Sequence, residues 1–174
     1  WRGPWRAWLF ARQFDELPNA DALMQADWFG LKAALFGLLR DFDTADELIA
    51  RAESLCADNP WVWVEKSSLL EQEDRYDEAL KAAEYALQLR PWYRPALQSV
   101  GHLLSLLDRE ADALDLLRQA SPQIECAAIS AQLAQLQMDA GDYQAARDNF
   151  ERAVELSPLL EEDSLDWYNG RRAD

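Results

Sequence analysis

Small side chains return at a fixed interval along this chain, and that recurrence limits the folds open to it more than any other feature. Alanine stands at Ala45, Ala79, Ala113 and Ala146, at spacings of 34, 34 and 33 residues, and a second alanine follows each by seven, at Ala52, Ala86, Ala120 and Ala153. Seven residues are close to two turns of α-helix, so each pair lies on one stripe of its helix. A stripe without bulk lets another helix approach closely. Other columns keep the same interval: leucine at Leu35, Leu69, Leu103 and Leu136, a small residue at Ala33, Ser67, Gly101 and Ala134, and an aromatic at Phe42, Tyr76 and Tyr143, with Glu110 as the exception. Large apolar residues fall at Ile49, Leu117 and Phe150, with Ala83 as the small member.

Each unit therefore holds two apolar helical stripes separated by a short polar break, at Arg40-Asp41, Asp74-Arg75, Asp108-Arg109 and Gly141-Asp142. Between units, Pro60, Pro91, Pro122 and Pro158 stop the helix at or before the proline. Composition agrees. Ala and Leu occur 28 times each, against 8 for Val, Ile and Thr together, which leaves a β-sheet without its preferred residues. The chain is expected to be all-α.

The segments Arg75-Tyr76-Asp77-Glu78-Ala79-Leu80 to Pro91 and Gly141-Asp142-Tyr143-Gln144-Ala145-Ala146 to Pro158 resemble the second helix of a tetratricopeptide repeat. Trp63 and Gly101 stand at the family's tryptophan and glycine positions, whereas Lys32 and Lys66 replace a usual aliphatic residue. The resemblance implies a right-handed α-α superhelix, a solenoid of antiparallel helix pairs, with units at about 26–59, 60–93, 94–126 and 127–160 within 19–160. Residues 1–18 are expected to form a capping helix, with the helical pattern over 4–17 and Pro4 at its first turn, and Asn19 is expected to cap the next helix. Residues 161–174 read as the start of a further, truncated unit, and a start without methionine or signal core suggests a segment of a longer chain.

Composition also bounds the function. The formal charge is −15, from 32 acids against 17 bases, which disfavours nucleic acid and anionic lipid. No run of 18 apolar residues is present, so no membrane insertion is expected. Cys56 and Cys126 stand 70 residues apart and His102 is the one histidine, so no metal or cofactor site is expected. With no Gly-rich phosphate loop, HExxH or GxSxG, and with paired carboxylates too common here to be informative, no catalytic residue is proposed.

In related arrays, positions 2, 5, 9 and 12 of a unit face the groove. Carried over, they give Asp27, Gly30, Ala34 and Gly37 in the first unit and Trp61, Val64, Ser68 and Glu71 in the second. The third gives Pro95, Gln98, His102 and Ser105, and the fourth Ala128, Ala131, Gln135 and Met138. From these we take Trp61, Val64, Ser68, Gln98, His102, Ala131, Gln135 and Met138 as the candidate partner-binding residues. None of the lining positions is Lys or Arg, so the clamp that some relatives close on a peptide's terminal carboxylate is not expected. His102 reads either as a hydrogen-bonding group for a bound backbone or as an ordinary exposed helix residue. The tryptophans read as junction filler, Trp63 as core and Trp61 as an anchor candidate. Glu71–Asp74 and Glu161–Asp163 read as solvated faces that could still attract a basic partner.

The expected function is a non-catalytic interaction scaffold that binds a protein or peptide, basic or apolar, in its groove. The alternative is the recruiting or spacing region of a larger peptidase or transferase. Self-association through end faces is a third expectation. The compartment stays open, with the cytoplasm ahead of the periplasm or envelope.

Overall fold

The computed structural model describes residues 4–157. Among them nine helices and no strand occur: α1 (Pro4–Ala11), α2 (Ala22–Leu38), α3 (Phe42–Leu55), α4 (Pro60–Gln72), α5 (Tyr76–Leu89), α6 (Arg94–Leu106), α7 (Glu110–Ala120), α8 (Ala127–Asp139) and α9 (Tyr143–Leu156). The fold is an all-α helical repeat. The chain divides into two compact units, Trp1–Leu107 and Asp108–Asp174, so the division falls between the helices of the expected third repeat.

The periodic small residues form the core. All eight column alanines are at most 1% exposed. The leucine column (Leu35, Leu69, Leu103 and Leu136) and the small column (Ala33, Ser67, Gly101 and Ala134) are buried as well. In the first unit α2 packs on α3 and α4 on α5, while α4 also lies against α2 and α6, so α2, α4 and α6 form one layer. In the second unit α8 packs on both α7 and α9.

A left-handed residue occupies the same place in every intra-repeat turn: Arg40 (φ 64°), Asp74 (φ 60°), Asp108 (φ 56°) and Gly141 (φ 79°). Such a residue after a helix lets the last orphan carbonyls find donors. Asp41 N–H donates to Phe36 O, Arg75 N–H to Leu70 O and Asp142 N–H to Gln137 O. Three of the four positions carry a side chain that disfavours this backbone, and local contacts offset the strain at two of them. The Arg40 guanidinium lies over the Phe42 ring at 4.7 Å and donates to Gln72 O at 2.9 Å. The Asp74 carboxylate accepts from Tyr76 Oη at 2.7 Å. The next helices start on a cap: Asp41 accepts from Thr44 N–H and Asp142 from Ala145 N–H, whereas Arg75 makes no side-chain cap.

Three expectations are corrected near the termini and core. The first helix ends at Ala11 rather than at residue 17. Beyond Ala11 the turn tightens, with Gln13 N–H donating to Phe10 O and Phe14 N–H to Ala11 O, and then the backbone is taken up by α2. The Lys32 ammonium donates to Phe14 O (3.3 Å) and Asp15 O (3.4 Å), while Leu17 N–H donates to Gln25 Oε1 (3.0 Å). Lys32 is therefore buried at a usually aliphatic position because it has carbonyl acceptors there. The cap of α2 is Asp21, which accepts from Met24 N–H at 2.8 Å; Asn19 instead adopts φ 59° in the turn before it. Trp63 is half-buried rather than core, because its indole N–H donates to Ala57 O at 2.8 Å and its ring packs edge-on to Tyr85. The expected truncated unit at 161–174, Pro158 and the acidic stretch Glu161–Asp163 lie outside the described residues.

Candidate functional site

In the first unit the α2–α4–α6 layer carries five of the expected contact residues. Pro60 opens α4 as its first helical residue, and Asn59 before it accepts from Trp61 N–H (3.0 Å). The Asn59 amide in turn donates to Asp27 Oδ1 at 2.8 Å, which ties the start of α4 to α2. Trp61 is thus set on a fixed helix end. Half-buried, it packs in a cluster with Val64, Ala86, Ala96, Trp63, Leu87 and Tyr93. Val64 lies within this cluster and is only 8% exposed, so it supports the surface and does not meet solvent.

One turn further on, Ser68 is exposed on α4, and Gln98 is half-buried on α6. The structure joins two residues that the repeat register places on one surface: His102 Nε2 lies 3.0 Å from Glu71 Oε1, across α6 and α4. This contact orients the imidazole toward a carboxylate. Burial, and next the charge of Asp58, pushes the Cys56 thiol up, so it is protonated and a poor nucleophile at neutral pH.

Glu65 was not among the expected residues. It is half-buried on α4, its Cγ 3.5 Å from the place a side chain would begin at Gly30, and burial pushes its carboxyl up to about 7. Sequence signalled it only weakly, as an acid one place after a lining position and opposite a glycine on the preceding repeat. Lys66, on the same helix, does have a partner, Glu53 at 2.7 Å.

In the second unit Ala131 and Gln135 are half-buried on α8, and the Gln135 amide donates to Asp139 Oδ2 at 2.7 Å. Met138 is buried and packs with Ala146, so it joins α8 to α9 and offers no contact surface. The fourth column position points inward here because α8 buries nearly its whole last turn: Leu136, Gln137 and Met138. Among the described residues, no group of three or more His, Cys, Asp and Glu could hold a metal ion, and no helix is long and apolar enough to cross a membrane.

These features define a helical-repeat protein with an open layer of first helices. Residues 127–158 match the family model described as Tetratricopeptide repeat. TTC0263, a thermophilic tetratricopeptide protein of Thermus thermophilus, superposes with a TM-score of 0.75 at 19% identity, over 95% of this chain and 88% of that one. PilF of Pseudomonas aeruginosa gives 0.68 at 19% identity over 97% and 81%. Yeast Tom70 gives 0.71 at 21% identity over 86% of this chain and 33% of its own. No curated protein sequence matches the chain. The chain has the fold of these tetratricopeptide-repeat structures, and residues 127–158 match the family's sequence model.

Proposed function

We propose that the chain is a non-catalytic interaction module that binds a protein or peptide segment on the first-helix layer of its repeats. In the first unit the contact residues are Trp61, Ser68, Gln98 and His102; Ala131 and Gln135 take the corresponding places in the second. The observation that carries this reading is the support beneath Trp61. Its helix end is held by Asn59 and Asp27, and its half-buried ring stands on an apolar cluster. An aromatic side chain held in this way loses little entropy on binding and can remove much area from water.

The surroundings select the ligand. Asp27, Glu65 and Glu71 lie on or beside the layer, and no lining position is basic, which favours an apolar segment bearing Lys or Arg over one ending in free carboxylates. The fold supports the interaction class, and Tom70 and PilF show how widely this architecture is used.

A pull-down with the intact chain, followed by titration of the captured segment, tests the proposal. Trp61→Ala is expected to weaken binding at least about tenfold, the typical loss of a buried aromatic anchor. Wild-type affinity in Trp61→Ala and Gln98→Ala together would overturn the proposal. Tight capture of a peptide through its terminal carboxylate would contradict the ligand choice.

A further inference from the structure

Helix α1 is built the wrong way round for a helix that serves only to close the end of a core. It turns its small residues inward, with Ala11 buried and Ala7 packed against the core that α2 and α3 share. Three of its four large apolar residues face outward, with Trp5 57% exposed, Phe10 60% and Leu9 40%, while Trp8 is half-buried. Phe14, whose ring centroid lies 5.7 Å from that of Phe10, extends the exposed apolar region into the following turn. Isolated exposed apolar residues are ordinary, but Trp5, Leu9, Phe10 and Phe14, four large ones within ten positions, form a patch that calls for a partner.

The charge of this end has the opposite sign to the rest. The first 14 residues hold Arg2, Arg6 and Arg12 and no acid, whereas the remaining 160 hold 14 basic and 32 acidic residues. Arg12 lies over the Trp8 ring at 4.9 Å, and Trp8 stacks on Trp5 at 4.7 Å, so cation and aromatics share one surface. The nearest acids are partly answered. Glu16 is paired with Arg51 at 2.9 Å, the Lys32 ammonium sits against the backbone of Asp15, and Asp21 is engaged as the α2 cap.

We infer that α1 is a surface anchor that seats Trp5, Leu9 and Phe10 in the headgroup layer of an anionic bilayer, with Arg6 and Arg12 meeting lipid phosphates. Tryptophan and arginine suit this layer, since each combines apolar or weakly hydrated bulk with a polar edge. The chain's overall negative charge does not forbid such contact. At physiological salt, charges more than about 8 Å from the surface are largely screened, so the sign of the contacting end governs. This inference is independent of the partner-binding layer on α4 and α6.

Vesicle flotation with the full chain tests it. Binding is expected on vesicles of phosphatidylglycerol and phosphatidylcholine mixed equally, weaker on pure phosphatidylcholine, and reduced by high salt. Leu9→Asp with Phe10→Asp is expected to lower partitioning at least about tenfold, since each buried large side chain contributes that order of effect. Both positions are exposed, and an unchanged circular dichroism spectrum will show that the variant folds. Arg6→Glu with Arg12→Glu should abolish the preference for anionic lipid, while Gln144→Ala, an exposed position on α9, should bind as the parent does. Failure of the parent to float with anionic vesicles, or equal flotation of the Leu9/Phe10 variant, would overturn the inference. So would sedimentation showing that this variant only dissociates a dimer, which would assign the patch to a second copy of the chain.

Discussion

The hairpins α4–α5 and α8–α9 reach one local geometry from different residues. Both bury their column alanines, at Ala79 and Ala86 in one and Ala146 and Ala153 in the other, and both turn on a left-handed residue followed by the same backbone hydrogen bond. The second hairpin does this with the preferred parts, Gly141 in the turn and Asp142 as cap. The first uses Asp74 and an uncapped Arg75, and puts the half-buried carboxyl of Glu65 where the second has Gln132. Close packing of the stripes is thus the shared requirement. Turn and charge chemistry can vary around it, at a stability cost that can be measured.

The largest effect is expected from Ala79→Leu and Ala146→Leu. Each adds bulk where no space exists and should cost about 3 kcal/mol in denaturant unfolding, equally in both hairpins. A small loss in either would show that its stripe is not closely packed. Next comes Glu65→Gln. A carboxyl whose folded pKa lies above its unfolded value binds a proton in the native state that it loses on unfolding, so its contribution falls as pH rises from about 4.5 through about 7. The variant should therefore match the parent near pH 4 and be more stable by up to about 3 kcal/mol at pH 8. A constant difference across that range would remove the buried charge from the account.

Smaller effects separate the caps and turns. Asp142→Ala should cost about 1 kcal/mol and Arg75→Ala clearly less, because one loses a helix cap and the other an exposed ion pair. Equal losses would mean that the Arg75 contacts to Glu73 and Glu78 act as a cap in all but name. The smallest change is expected for Asp108→Gly, a gain of about 0.5 kcal/mol, as relief of the left-handed backbone slightly exceeds the added chain entropy.

The repeat was legible in the sequence because close helix contact restricts side-chain size, and size is written in the residue type. Ala45, Ala113 and Leu103 could hardly be read otherwise, and all are fully buried. Legibility failed where a polar group chooses between partners. Whether Asn19 or Asp21 caps α2, or where helical bonding in residues 4–17 gives way to Lys32 and Gln25, depends on which acceptor a neighbouring helix brings near. The candidate surface fared between these. Register placed His102 and Glu71 on one layer, and they meet; the same register gave Val64 and Met138, which local packing draws inward. Glu65 escaped because its meaning lies in the burial around it and not in its type.

The lodging of Lys32 beneath Phe14 and Asp15 has a mechanical consequence. Peeling the leading segment from α2 would leave the Lys32 ammonium without its two carbonyl acceptors. The terminal helix and the first hairpin are riveted at that point, and a pull applied to one is delivered to the other.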